Sequence, residues 1–174
     1  MRERPILFST EMVRAIRAGC KTVTRRVAVP TAAGECRNRY GEPGDRLWVK
    51  ERFAVLPHTT PGRGVPFGDV VYYADDSDAD VDVWRPSIHM PRWASRLQLE
   101  VRDVRLERVQ EYLTDREAVL EGVGHLYGLA PGVVPADGRR RFAELWDSIN
   151  AARGYPWADN PPVWRVEFEV VRAT

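Results

Sequence analysis

The apolar positions of this chain change period several times, and each change marks an expected element. In TEMVRAIRAG, Met12, Val13 and Ile16 fall on one side of a helix, with Thr10 as its expected N-cap and Gly19 as its stop. GEPGDRLWVKERFAV reads as a Pro-Gly-Asp turn feeding a strand from about Arg46 to Val55. Residues 57–68, PHTTPGRGVPFG, read as a Pro/Gly loop, and DVVYYAD as a short strand running into an acidic stretch. RLQLEVRDVRLERV alternates, but its phase slips: Leu97, Leu99 and Val101 share one face, then Val104 and Leu106 take over. That slip predicts a bulge or sharp bend in a long strand.

Further on, LTDREAVLEG has capping-box spacing at Thr114 and Glu117, and Gly122 ends the predicted helix. Residues 124–138 are rich in Gly and Pro and read as a loop. RRRFAELWDSINAARG puts Phe142, Leu145, Trp146 and Ile149 on one helical face, and VWRVEFEVVR alternates cleanly through Trp164, Val166, Phe168 and Val170. Short separated strands with helices inserted between them predict an α+β domain or a small, partly closed β-barrel. A doubly wound sheet would need regular strand–helix repeats, and the pattern has none.

At 174 residues the chain is most simply one domain, spanning 1–174. Hydrophobic residues make up 44% and charged residues 29%, an ordinary globular balance. No stretch approaches the roughly 18 apolar residues that a membrane span needs, so no membrane partner is expected. The N-terminus lacks the apolar region of a signal peptide, which makes the cytoplasm the expected location. Cys20 and Cys36 then fit free thiols. With no CxxC and three scattered histidines, neither a metal site nor a cofactor is expected.

The net charge of +1 conceals an uneven distribution. Residues 1–40 carry nine basic residues against three glutamates, 69–82 carry six aspartates and no base, and 85–108 carry six arginines against three acids. A local basic face attracts phosphate even when the whole molecule is near neutral; solvated faces would look the same. Of 26 basic residues, all but Lys21 and Lys50 are arginine. Lys21 stands in GCKTVTRR, beside Thr22, Thr24, Arg25 and Arg26. A desolvated lysine can accept a proton and an arginine cannot, so the choice of lysine here marks a candidate site.

The ordered set GCKTVTRR, PGDRLWV, LTDREAVLEGV and a final WRVEFEVV strand resembles the ASCH family of the PUA-like superfamily. The family pattern G-x-K-T-x-T-x-R matches Gly19 to Arg26, and its Gly-Asp turn matches Gly44 and Asp45. The likeness is greatest to longer, phage- and prophage-like members, with a block similar to WRPSIHMPRWASRL. The resemblance implies a small PUA-like β-barrel with short helices between strands, and insertions at about 57–95 and 124–160. It implies RNA or a modified nucleoside as partner. Some members cleave N4-acylated cytidines without a metal, using a Lys, a Thr three residues later and a Glu in the middle helix. Carried over, these are Lys21, Thr24 and Glu121. A non-catalytic single-stranded RNA-binding module and a ribonuclease are the alternatives.

Amide hydrolysis needs a nucleophile, a base and stabilisation of the oxyanion. Thr24 supplies a hydroxyl, and Lys21 a base if burial or neighbouring charge lowers its pKa. Thr22, Arg25 and Arg26 are expected substrate or phosphate contacts. In a regular strand, residues three apart point to opposite faces. Lys21 must therefore belong to the turn after the first helix. Glu121 ends its helix, where the dipole disfavours a carboxylate; that suits a functional group or a merely exposed one. Trp84, Arg85, His89, Arg92 and Trp93 interleave aromatics with cations, as single-stranded RNA binding requires. The same block can instead plug a barrel end, its arginines paired with the acidic 75–82 segment.

Overall fold

A computed structural model describes residues 1–56 and 70–173; the predicted loop at 57–68 lies outside the described residues. Seven strands lie among the described residues: β1 (Glu3–Leu7), β2 (Val23–Val27), β3 (Arg46–Lys50), β4 (Phe53–Val55), β5 (Val70–Tyr72), β6 (Leu97–Arg108) and β7 (Pro162–Ala173). Five form one sheet in the order β1-β3-β6-β7-β2, and β4 and β5 make a separate antiparallel pair. The sheet is antiparallel except where β1 runs beside β3. Its centre is the long β6–β7 pair, whose register shifts between Gln98 and Leu99 and between Val101 and Asp103. The second shift lies where the apolar phase slips, so the predicted bulge is present.

The architecture is α+β, but the expected barrel does not close: β1 and β2 are the edges of an open sheet. Side chains connect them instead. Arg26 on β2 donates from Nη2 to the Leu7 carbonyl at the end of β1, at 2.6 Å, and its guanidinium lies 5.0 Å from the Phe8 ring.

The strand expected over 46–55 is two strands in different sheets. Leu47, Val49, Glu51 and Phe53 all sit on the buried phase, so a carboxylate falls where an apolar residue would continue the strand. Glu51 is held by Arg96 at 2.9 and 3.0 Å, and its backbone N–H turns to the Met90 sulfur. The chain re-enters a sheet only at Phe53, which bridges to Arg85.

Helix α1 (Thr10–Arg17) is capped by Ser9, whose hydroxyl accepts from the Met12 amide, one residue before the expected Thr10. Both residue types cap well, so local chemistry does not separate them. Gly19, at φ +71°, ends the turn as expected. Thr114 caps α2 (Asp115–Leu120) by accepting from the Glu117 amide. The box is half made, because the Glu117 carboxylate bonds Arg25 and Arg165 instead. Within the expected loop 124–138, the chain first makes one more turn, α3 (Val123–Leu126), restarted by Gly122 at φ +90°. Helix α4 (Gly138–Asn150) follows and continues as a tight turn to Arg153. No helix among the described residues is long and apolar enough to cross a membrane.

Two cores result. Ile6, Phe8, Val13, Ile16 and Leu99 belong to one, which buries α1 on the sheet. The other joins Phe142 and Trp146 of α4 to Leu113, Ala118 and Val163 near the paired ends of β6 and β7.

Gly122 fixes how closely α2 approaches α1. A Cβ there would stand 3.2 Å from the Ala15 Cβ and 3.4 Å from Lys21 carbons, whereas at Gly132 (φ +82°) it would meet open space. Gly132→Ala should cost about 1–2 kcal/mol of left-handed strain. Gly122→Ala should cost at least about 1 kcal/mol more through overpacking. Urea unfolding of the two variants reads the difference.

Candidate functional site

Lys21 sits in the turn after α1. Its amide donates to the Ala15 carbonyl, and a single antiparallel bridge joins it to Glu121 at the end of α2. Thr22 secures the same junction, donating to the Leu120 carbonyl. Regular pairing begins at Val23, as the Lys21–Thr24 reading required. Lys21 is 2% exposed. Its Nζ donates to the Val23 carbonyl (2.7 Å), the Glu121 carbonyl (2.7 Å) and Glu121 Oε2 (3.0 Å). Burial pulls its pKa below the usual amine value; the Glu121 carboxylate opposes this, while Arg26 and Arg25 reinforce it.

Arg25 organises the carboxylates around this lysine. Its fully buried guanidinium donates from Nε to Glu107 (2.9 Å), from Nη1 to Glu121 (3.1 Å) and from Nη2 to Glu117 (2.9 Å). Arg165 donates to both Glu117 oxygens, at 3.1 and 3.2 Å, and Arg105 to the other Glu107 oxygen. Burial would raise the Glu117 pKa, but its bonds to Arg165 and Arg25 win and hold it below the ordinary value. Glu121 thus bridges Lys21 and Arg25, one oxygen to each.

These groups face a cavity of about 430 Å³ between the two cores. Lys21, Thr24, Arg25, Arg26 and Glu121 line one side, with Phe8 and Tyr40. Phe142, Trp146 and Ile149 of α4 line another, with Asn150 and Arg153 beyond them. One wall therefore comes from the 124–160 segment. Trp146 joins the second core and also lines the cavity.

The other sequence candidates lie apart from this cavity. Thr22 is partly buried and is not part of its lining. Trp84 lines a second cavity of about 420 Å³ with Arg52 and the start of α1, and both cavities touch Phe8 and Ser9. Arg85 and His89 are exposed, Arg92 pairs with Glu3 at 2.9 Å, and Trp93 is 46% exposed. Arg96 of the same block is buried against Glu51 and Asp75. Sequence reasoning missed Tyr40, Asn150 and Arg153. The last two continue the 142–145–146–149 helical spacing, and that periodicity was the signal for them.

Arg25→Met leaves three carboxylates without their common partner and should cost about 3–5 kcal/mol at neutral pH. The sign with pH follows from Glu117. Its folded-state pKa is depressed, so its stabilisation is full above the ordinary carboxylate value of 4.5 and is lost as pH falls through the folded value. The gap between wild type and Arg25→Met should therefore narrow on acidification. Urea midpoints measured from neutral to acid pH check both points.

No family model and no curated protein matches the chain. Among solved structures, the ASCH domain from Lactobacillus crispatus JV V101 aligns with 98% of this chain and 80% of its own, at 11% identity and a TM-score of 0.51. A protein from Enterococcus faecalis V583, described by the family model DUF984, aligns with 100% of this chain and 83% of its own, at 11% identity and a TM-score of 0.49. The open five-stranded sheet, the helices inserted between its strands and the alignment over nearly the whole chain agree: this chain has the fold of an ASCH domain.

Proposed function

We propose that the cavity receives a nucleobase and that the chain is a metal-independent amidohydrolase of N4-acylated cytidine. The observation that carries this is a buried Lys21–Glu121 pair in the same cavity wall as the Thr24 hydroxyl. The volume falls in the range of small-molecule sites, about 300–1,000 Å³. Tyr40, Phe142 and Trp146 offer flat faces of the kind on which bases stack.

In the reaction, Lys21 first passes a proton to Glu121, which leaves a neutral amine with a lone pair. Burial favours loss of the proton from Lys21, because it removes the ammonium charge from a poorly solvated place. Thr24 Oγ attacks the acyl carbon while its proton goes to Lys21, whose renewed ammonium then faces the oxyanion. The C–N bond breaks, the exocyclic nitrogen of cytidine takes a proton from Glu121, and the acyl group rests on Thr24. Water attacks that ester, giving the free acid and restoring the hydroxyl. The sum is N4-acylcytidine and water to cytidine and a carboxylic acid.

A second reading, a binding-only RNA module, draws on a different observation. All three Nζ protons of Lys21 have acceptors in the resting protein, so the lysine is already satisfied as an ammonium.

The test is release of cytidine from N4-acetylcytidine. Thr24→Val keeps the shape and leaves the ion pairs alone; it should abolish turnover. Lys21→Arg should lower turnover by about 10²–10⁴-fold through loss of the base. Wild-type rate should fall as pH rises through a limb below the ordinary lysine value of 10.5, because that limb removes the one proton that Lys21 and Glu121 share and that the leaving nitrogen must receive. Full activity in Thr24→Val would sink the acyl-threonine route. An inert wild type that still binds cytidine would favour the binding module.

A further inference from the structure

Arg26 differs from the other arginines gathered around the sheet. Arg25 holds three carboxylates, Arg165 is within salt-bridge reach of Glu117, Glu167 and Asp103, and Arg96 pairs with Glu51 and Asp75. Among the described residues, Arg26 has no carboxylate within ion-pair distance, though it lines the same cavity. Its Nη2 donates to the Leu7 carbonyl, and its Nε is buried with no hydrogen-bond partner among the described residues. Buried donors without acceptors are costly, and more so on a charged group. Arg4 and Arg46 also have a buried free Nε, but neither lines either cavity.

Two neighbours bear on this, of which Arg153 lines the cavity and Trp164 does not. Trp164 stands directly opposite Arg26 across the β2–β7 ladder, and its indole N–H is buried without a partner too. Facing residues of an antiparallel pair project to one side of the sheet, so two orphan donors share that side. Arg153, in the same lining, is exposed and among the described residues bonds Asn150 Oδ1; its charge bears on Arg26, opposing the larger effect of the Glu121 carboxylate. Arg26 and Arg153 thus line one cavity without a carboxylate in ion-pair reach of either among the described residues, while Glu121 in the same lining is committed to Lys21 and Arg25. An uncharged nucleoside would leave that demand unmet.

We infer that the ligand carries a phosphate, which docks between Arg26 and Arg153 while its base lies toward Lys21, Thr24 and Glu121. A guanidinium suits this through its fork of N–H donors. The inference rests on the nucleobase reading of the cavity and narrows its substrate class to phosphorylated forms, either a free nucleotide or a nucleotide within RNA.

The experiment is a titration of wild type, Arg26→Gln and Arg153→Gln with cytidine, cytidine 5′- and 3′-monophosphate, a tetracytidylate and inorganic phosphate, read by tryptophan fluorescence and calorimetry. One monophosphate should bind at least tenfold more tightly than cytidine. That advantage should disappear in both variants while cytidine affinity stays put. Arg153 is exposed, so its variant answers even if Arg26→Gln fails to fold. Equal affinity for nucleoside and nucleotide overturns the phosphate site and leaves the nucleobase reading standing. An advantage that survives both substitutions overturns it as well. Binding of inorganic phosphate with no binding of cytidine or either monophosphate overturns the nucleobase reading and this inference with it. Tighter binding of the tetracytidylate than of either monophosphate, lost in both variants, assigns the phosphate to RNA; the reverse order assigns it to a free nucleotide.

Discussion

Arg25 is the constraint on which the site depends. It stands on β2, an edge strand, yet its guanidinium reaches Glu107 of β6 and Glu117 and Glu121 on or just beyond α2. One side chain thus fixes the helix against the sheet. Because Glu121 shares its carboxylate between Arg25 and Lys21, the lysine takes its position from the same anchor. Three carboxylates converging in a buried place would repel one another without a cation that cannot be neutralised, and only arginine supplies that. The abundance of arginine in this chain has a structural meaning here. Arginine holds the frame, and Lys21 is the buried lysine set against it.

The supporting role of Arg25 shows in its saturation. Arg25 has every nitrogen committed to a carboxylate, so it cannot also serve a ligand without giving one up. Thr24 and Arg26 flank it on β2 and point to the opposite face of the strand. All three border the cavity, but only Arg25 has its nitrogens fully committed to carboxylates.

Much of this was legible in the sequence wherever the cause is local. Gly19 punctuates the first helix, so Lys21 could be placed in a turn, and the phase slip after Val101 announced the bulge. Glu121 stood out as a carboxylate at the wrong end of a helix. What escaped has distant causes. Glu107 lies 82 residues from Arg25, and nothing near either one announces the other. The break between β3 and β4 comes from Glu51 meeting Arg96, 45 residues on. A carboxylate on the inward phase of LWVKERF was the available signal, and a continuous strand was the wrong inference from it. Arg153 escaped because a cation at the end of an amphipathic helix reads as solvated. The open sheet escaped because alternation reveals which strands exist, not whether the first and last of them meet.

That opening between β1 and β2 has a mechanical meaning. Hydrogen-bonded strands keep a spacing of about 4.8 Å, so a closed barrel would give the cavity a mouth of fixed width. Here the span is crossed by the Arg26 side chain and its rest on Phe8. Side chains change rotamer in picoseconds to nanoseconds where they are free to do so, whereas a ladder must unzip. The edge beside Lys21 is therefore held by side-chain contacts alone, and they can be altered by substitution while every strand keeps its partners.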